Sequence, residues 1–372
     1  MTGDGWRHVR SVLCVRLDAL GDVLMSTPAI RALKESLPGR EITLLTSRSG
    51  AAVARMVPEI DDVLVYEAPW MKSSGPLAAL PGRAAADLGM VEELRARRFD
   101  AAVIFTVYSQ SPLPAALFCH LAGIPRRLAH CRENPYALLT DWVKEEEPER
   151  FVRHEVQRQL DLVAAVGCHT ADERLSITVS DRARDSVRAK LAEHGVDLSA
   201  PWLVAHPGAT APSRRYPPEL FAEAARLIAL EYGEQVVFSG SAAERELVTG
   251  IRHAMVEPSF TLAGELDLAE LVALVAEAPL LVSNNTGPAH IAAATGTPVV
   301  DIYALTNPQH TPWRVVSRVL SHDVPCRYCY KSVCPLGHND CLRLVTPTSV
   351  ARAAGELLSA GSERVGAAME LS

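Results

Sequence analysis

No stretch of this chain reaches the ~18 consecutive apolar residues that a membrane-spanning helix needs. The opening segment, Met1 to Arg10, is polar, and the apolar run that follows is broken by Arg16 and Asp18. It has neither the apolar core nor the small-residue cleavage site of a signal peptide. The expectation is a cytoplasmic protein whose contact with a membrane, at the inner face, is at most peripheral. A basic excess is missing too: 37 Lys and Arg stand against 44 Asp and Glu, for a net charge of −7. A chain without a broad positive field is a poor partner for nucleic acid. There is no low-complexity tract and no short sequence repeat, so any duplication must be architectural.

What is present is the composition of a globular protein, 48% hydrophobic and 22% charged,. With 372 residues the chain is too long for one ordinary core, which predicts two domains,. Short β-rich runs alternate with amphipathic stretches of helical period. Ser11 to Leu17, Glu41 to Thr46, Asp62 to Tyr66 and Asp100 to Phe105 read as strands. Val23 to Leu37, Ala84 to Arg97, Pro114 to Ala122 and His154 to Val166 read as helices. The polar segment Gly167 to Ala200 holds the domain junction, and the alternation then restarts. Trp202 to His206, Gln235 to Ser239, Phe260 to Ala263, Leu280 to Ser283 and Pro298 to Tyr303 are the second set of strands. Pro218 to Tyr232, Leu268 to Ala278 and Gly287 to Thr295 are helices among them, and Pro347 to Leu358 is a last helix before a frayed tail. Alternation of this kind predicts mostly parallel sheets covered on both faces, with ligands at the carboxyl ends of the strands. The chain therefore divides into an α/β domain over residues 1–180, a second over 181–346 with a cysteine-rich segment at 323–343, and a helix and tail over 347–372 that could pack back on the first domain.

Three strand-to-helix loops carry residues suited to chemistry. In Arg16-Leu-Asp-Ala-Leu-Gly-Asp22, Gly21 permits a tight turn and Asp22 sits where a helix begins. Asp22 can be an N-cap accepting backbone N–H bonds. It can also be a carboxylate able to take a proton from an acceptor hydroxyl, with Asp18 as a weaker candidate. In His206-Pro-Gly-Ala-Thr-Ala-Pro-Ser-Arg-Arg-Tyr-Pro217, small residues let backbone approach a ligand. Thr210 and Ser213 offer hydroxyls there, and Arg214 and Arg215 offer charge for phosphate; the alternative is a solvated basic turn. In Ser283-Asn-Asn-Thr-Gly-Pro-Ala-His290, free N–H groups at a helix start make an anion site to which His290 could add,. Alternatively, Asn285 and Thr286 cap the helix and His290 is a packed neutral side chain. This loop is neither a Walker loop nor a full G-x-G-x-x-G. Glu244, just beyond a strand, is placed to bind a ribose hydroxyl or simply to favour a helix start.

Taken together these blocks resemble glycosyltransferase family 9, the ADP-heptose heptosyltransferases of bacterial glycan assembly. Val12 to Leu24, Thr27-Pro-Ala-Ile-Arg-Ala-Leu33, the His206-Pro-Gly block and Asn285-Thr-Gly-Pro-Ala-His290 all match in order over nearly the whole chain. The resemblance implies a GT-B fold, two Rossmann-like domains facing across a cleft, with acceptor bound by the first and nucleotide-sugar donor by the second. It implies an enzyme of the hexosyl- or heptosyltransferase type (EC 2.4) that inverts the anomeric carbon and needs no organic cofactor and no obligatory catalytic metal. Asp22 falls on the family's general base. Arg214 falls on a basic residue at the donor phosphates, where many relatives have Lys. Thr210, Thr286, Gly287 and His290 fall on diphosphate or sugar contacts, and Glu244 on a ribose contact. Many relatives carry Asp where this chain has Asn285, which bears on the identity of the donor sugar. ADP-heptose is the implied donor. The acceptor is left open among lipopolysaccharide core, another glycan, a protein and a small molecule. A related nucleotide-sugar epimerase fits the Gly21-Asp22 block poorly, and a non-catalytic nucleotide-sugar sensor of the same fold is the other reading.

Cys326, Cys329, Cys334 and Cys341 lie within sixteen residues. In a reducing compartment such a cluster favours a metal site over a disulfide framework. Four thiolates suit zinc or iron in a closed structural site, with His322 and His338 as spare ligands. Some relatives that glycosylate autotransporters carry iron on four cysteines. The alternative is four reduced thiols, or disulfides formed on oxidation.

Overall fold

The apolar run after Arg10 becomes the centre of a parallel sheet. The structure is a computed structural model that describes residues 3–71 and 83–369. It divides into two compact units, Met1–Thr178 and Val179–Ser372. The first unit contains, in order, β1 (Ser11–Arg16), α1 (Leu20–Glu35), β2 (Glu41–Thr46), α2 (Arg48–Ala54), β3 (Asp62–Val65) and α3 (Arg83–Arg97). It continues with β4 (Ala101–Ile104), α4 (Leu113–Leu121), β5 (Arg126–Cys131), β6 (Asp141–Lys144) and α5 (Glu155–Ala164). Its six strands are ordered β3-β2-β1-β4-β5-β6, with every neighbouring pair parallel.

The second unit begins with α6 (Asp181–Glu193), β7 (Trp202–His206), α7 (Pro218–Tyr232), β8 (Gln235–Phe238), α8 (Arg245–Met255) and β9 (Ser259–Thr261). α9 (Leu268–Glu277), β10 (Leu281–Asn284), α10 (Gly287–Thr295), β11 (Val299–Ile302), β12 (Ser317–Leu320), α11 (Asp340–Arg343) and α12 (Pro347–Met369) follow. Its sheet runs β12-β11-β10-β7-β8-β9, the same strand order as the first when each unit is numbered from its own first strand. The duplication is thus one of topology. In each unit the chain reverses its direction of travel across the sheet next to the first strand, at β1/β4 and at β7/β10. In sheets of this kind ligands bind outside the carboxyl ends of these paired strands, where the loops leaving them diverge.

Local chemistry explains several of the elements. Pro28 lies inside α1 and cannot donate to the Leu24 carbonyl,. The Thr27 hydroxyl makes that bond instead, at 2.7 Å, so the Thr-Pro pair keeps the helix satisfied. The Thr27 oxygen also accepts from the Ser176 N–H at 2.9 Å. Arg31 bonds Glu59 at 2.8 Å and the carbonyls of Asp172 and Arg174 at 2.6 and 2.7 Å. These bonds tie the polar connecting segment to α1, up to the point where the first unit ends.

The last helix continues to Met369, beyond the Leu358 that helical patterning predicts. Its first turns bury Val350, Ala351, Ala354 and Leu357 in the second unit's core, with Phe221 and Ile228 of α7 and Val236 and Phe238 of β8. The sequence leaves this helix free to return to the first domain; α7 of the second unit is its partner instead. Gly355 permits that packing, because a Cβ there would lie 2.2 Å from the Tyr232 ring. No helix among the described residues is long and apolar enough to cross a membrane.

Candidate active site

At the switch point of the first sheet, β1 ends on Arg16, a guanidinium with no solvent exposure. Three carboxylates meet it: Asp18 at 3.0 Å, Asp22 at 3.0 Å and Glu155 at 2.7 Å. Glu155, at the start of α5, is also fully buried and accepts from the Gln159 amide at 2.6 Å. One positive charge therefore holds three negative ones, and the crevice is acidic. Burial pushes the Asp18 carboxyl up to about 6, against the pull of Arg16 and of a 2.7 Å bond from the Gln110 amide. Asp22 keeps 20% of its side chain exposed.

α1 starts earlier than the sequence pattern predicts, and that changes the structural role open to Asp22. Ala19 is the N-cap, and Asp22 is the third residue of the helix. Its Oδ2 reaches back to accept from the Ala19 N–H at 3.2 Å, while Oδ1 accepts from Arg16. Asp22 is thus the returning half of a capping arrangement, favoured there by the helix dipole. Its position leaves a carboxylate edge at the crevice.

At the switch point of the second sheet, the loops after β7 and β10 are joined by a residue that motif reading passes over. Asn284, fully buried at the end of β10, donates to the Pro207 carbonyl at 2.7 Å and accepts from the Tyr216 N–H at 3.0 Å. It clamps both ends of the 207–217 loop. Gly208 is required in that loop because a Cβ would lie 2.1 Å from Glu244 Oε1. Glu244 caps its own turn, accepting from the Ser241 N–H and hydroxyl at 2.8 and 2.9 Å through Oε2. Burial alone would raise the Glu244 carboxyl, but those bonds and His206 hold it below the usual carboxylate range. Thr210 is exposed on the loop and Arg214 is half-buried.

Two of the predicted donor residues spend their hydrogen bonds elsewhere. Ser213 is 3% exposed, and its hydroxyl donates to the Lys331 carbonyl at 2.7 Å, pinning the loop to the cysteine-rich segment. The Asn285 amide turns inward, donating to Asp301 at 3.1 Å and to the His310 carbonyl at 2.7 Å. Arg215 braces its own loop through a 2.6 Å bond from Nε to the Ala209 carbonyl. Asn285 therefore does not cap α10. Thr286 occupies the N-cap position with extended backbone and no side-chain cap bond. The first turn of α10, opening on Gly287 with buried His290 behind it, is free of side-chain capping, which is what an anion-binding helix start requires,.

The four clustered cysteines are unbridged and partly exposed. Among the described residues, no group of three or more His, Cys, Asp or Glu side chains is arranged to hold a metal ion. The sulfurs nevertheless share one neighbourhood. Burial raises the Cys341 thiol, and Cys326, Cys334 and Cys329 add to that rise. Cys334 is lowered overall, because N–H groups of Asn339, Leu336, Gly337 and His338 outweigh its burial.

Arg16, Glu155, Asn284 and Asp301 are the site residues that motif reading missed. The signal for Arg16 and Asp301 was present: each is a charge in an otherwise apolar strand, Ser11–Arg16 and Val299–Ile302. A buried charge in such a run needs partners, and partners at a switch point imply a site.

Two Rossmann-like units, each with charged and polar side chains gathered at the switch point of its sheet, have the architecture of a nucleotide-using enzyme,. The family model for glycosyltransferase family 9 (heptosyltransferase) matches residues 88–339, and the chain belongs to that family and is a glycosyltransferase. It is 25% identical over 320 residues to the lipopolysaccharide core heptosyltransferase OpsX of Haemophilus influenzae, covering 84% of each chain. The fold is GT-B. It matches the glycosyl transferase family 9 structure from Veillonella parvula with a TM-score of 0.76, at 20% identity over 94% of this chain and 97% of that one. It matches the E. coli ADP-heptose LPS heptosyltransferase II with a TM-score of 0.72, at 23% identity over 95% of this chain and 99% of that one.

Proposed function

We propose that this chain is an inverting transferase that moves a heptose, or a closely similar sugar, from an ADP-linked donor to a hydroxyl of a glycan, protein or small-molecule acceptor. The observation that carries this reading is the start of α10, uncapped by side chains at the switch point of the second sheet, with Arg214 on the facing loop. Such a start offers N–H groups and the positive end of the helix dipole to a diphosphate. Arg214 adds charge as the diphosphate leaves, so neutralisation need not come from a divalent cation. His290 and the exposed Thr210 hydroxyl complete the donor contacts, and the free oxygen of Glu244 takes a ribose hydroxyl. Asp22 removes the acceptor proton while the acceptor oxygen attacks the anomeric carbon from the face opposite the diphosphate. Heptose and ADP are the sugar and nucleotide of related heptosyltransferases, and a cytoplasmic reaction, at the inner face of the membrane for a lipid-linked acceptor, agrees with both. Supplying ADP-heptose and candidate acceptors and measuring ADP release tests the reading. Acceptor-dependent release is expected. Tight ADP binding with no turnover, and no effect of Asp22→Ala, would make the chain a nucleotide-sugar sensor.

The cysteine-rich segment suits a structural metal. Backbone N–H groups directed at Cys334 favour a thiolate, and Cys326, Cys329 and Cys334 each lie within electrostatic reach of Cys341. Cys326, Cys329, Cys334 and Cys341 would hold zinc or iron, drawing the segment that pins Ser213 into one fixed loop. The metal's role is to fold that loop. Metal analysis of protein purified without chelator is expected to find about one zinc or iron per chain. Metal-free protein with four titratable thiols in that segment would refute this.

A further inference from the structure

The Asn285–Asp301 pair has no part in the mechanism described above, yet it lies directly beneath the donor loop. Asp301 is fully buried on β11. Its Oδ2 accepts from the Asn285 amide at 3.1 Å, and its Oδ1 has no hydrogen-bond partner. The same amide donates to the His310 carbonyl at 2.7 Å, so one NH2 group links the residue preceding the α10 N-cap to β11 and to the loop beyond it. Asn285 from the β10 loop bonds the carboxylate, and Arg214 from the β7 loop and Tyr303, just beyond β11, lie within electrostatic reach of it. Burial pushes the Asp301 carboxyl up to about 7, even with Asn285 and Arg214 pulling it down.

We propose that Asp301 is a positioning residue for the donor diphosphate, acting through Asn285 and Arg214, and that it takes up a proton when the nucleotide binds. This rests on the donor site proposed above. In the free protein a charged Asp301 draws on the Arg214 guanidinium. A diphosphate on the α10 start brings further negative charge nearby and engages Arg214, so the charged form of Asp301 is disfavoured and its pKa rises. Because the pKa is higher in the bound state, affinity is greatest below pH 7. It weakens as pH climbs from the free-state pKa towards the bound-state one. The neutral acid still accepts from Asn285 through one oxygen and gains an O–H donor on the other.

The geometry also sets what Asn285 can become. Asn285→Asp would set two carboxylates about 3 Å apart in a dry site, where only one can ionise readily. Asp301→Asn removes the titrating group and keeps the shape. The combined Asn285→Asp/Asp301→Asn chain restores one carboxylate and one amide with their positions exchanged.

The test is calorimetric titration of the full chain with ADP at about pH 8, well above the second pKa of a phosphate (about 6), in two buffers of different ionisation enthalpy. Net proton uptake, a measurable fraction of one per ADP, is expected for the wild type, and none for Asp301→Asn. Asn285→Asp is expected to weaken ADP about tenfold, and the exchanged pair to recover most of that loss. No uptake by the wild type, uptake that persists in Asp301→Asn, or an exchanged pair as weak as Asn285→Asp would each overturn the proposal. Failure of the wild type to bind ADP at all would overturn the donor-site reading, and this proposal with it.

Discussion

Asp22→Asn is expected to slow sugar transfer about 10²- to 10⁴-fold, a barrier increase of roughly 3–5.5 kcal/mol, with ADP affinity unchanged. The substitution removes the basicity and, with it, the Oδ1 acceptor that Arg16 meets at 3.0 Å. The asparagine side-chain oxygen can still accept from the Ala19 N–H, now 3.2 Å from Oδ2, and Arg16 keeps Asp18 and Glu155. The helix start should survive, and the melting temperature should move by only a few degrees. On the donor site proposed above, ADP binds the second unit's loops, so its affinity reports whether that unit is intact. The rate loss should appear in kcat rather than in KM for the donor, because proton removal belongs to the transition state. The neighbouring carboxylate supplies the control. Asp18 titrates near 6, whereas a carboxylate that must be ionised to work fails on the acid side of its own pKa. If Asp22→Asn costs less than about tenfold and Asp18→Asn costs more, the base is Asp18.

The sequence was most legible where local chemistry and tertiary fate agree. Glu41–Thr46, Pro218–Tyr232 and Gly287–Thr295 fall where period, Pro and Gly put them. It was least legible where charge is buried. β5 reads Arg-Arg-Leu-Ala-His-Cys, and nothing in that run predicts a nearly buried strand. Arg127 is satisfied by the carbonyls of Leu138 and Ala137 at 2.8 Å each, and His130 faces the Arg158 carbonyl at 3.2 Å. Arg158 in turn bonds the Thr106 carbonyl at 2.6 Å and pairs with Glu145. These partners are distant in sequence, so one-dimensional patterning saw only polar residues and missed β5 and β6. The Asn285 amide is a case of the same kind: its partner Asp301 lies sixteen residues on, and the loop motif gives no sign of that bond.

Both candidate sites sit at the same place in the same topology, yet their charged groups differ. In the first unit Arg16 is outnumbered by three carboxylates; in the second, Arg214 and Arg215 share their loop's neighbourhood with Glu244 and with an Asp301 of raised pKa. Carboxylates suit taking a proton from a hydroxyl, and arginines suit holding a diphosphate. On the reading proposed above, the fold supplies two equivalent positions, and a few charges at the strand ends decide which substrate each takes.

Those buried charges make Arg16→Met the most destabilising substitution expected in the first unit, costing about 3–5 kcal/mol at pH 7. Arg16 and Glu155 are both fully buried, and the methionine would leave Glu155 with the Gln159 amide at 2.6 Å and no counter-charge. Asp18 would lose its guanidinium as well, while burial already holds its carboxyl near 6. Exposed pairs such as Arg95–Glu92 give no comparable effect, since screening leaves them at about 1 kcal/mol or less,. The pH dependence has a definite sign. Without Arg16, the folded-state pKa of Asp18, already raised by burial, rises further above its unfolded value. The folded variant then holds protons that the unfolded chain releases, so it loses stability as pH rises through the window above about 4. Relative to wild type the deficit should be smallest in mild acid and largest at neutral pH. Denaturant unfolding at a series of pH values measures it. Adding Glu155→Gln should return much of the loss, because the orphaned charge, more than the missing contact, sets the cost. A deficit that does not change with pH, or that Glu155→Gln leaves untouched, would mean that Arg16 stabilises the first unit by packing and not as the counter-ion of these carboxylates.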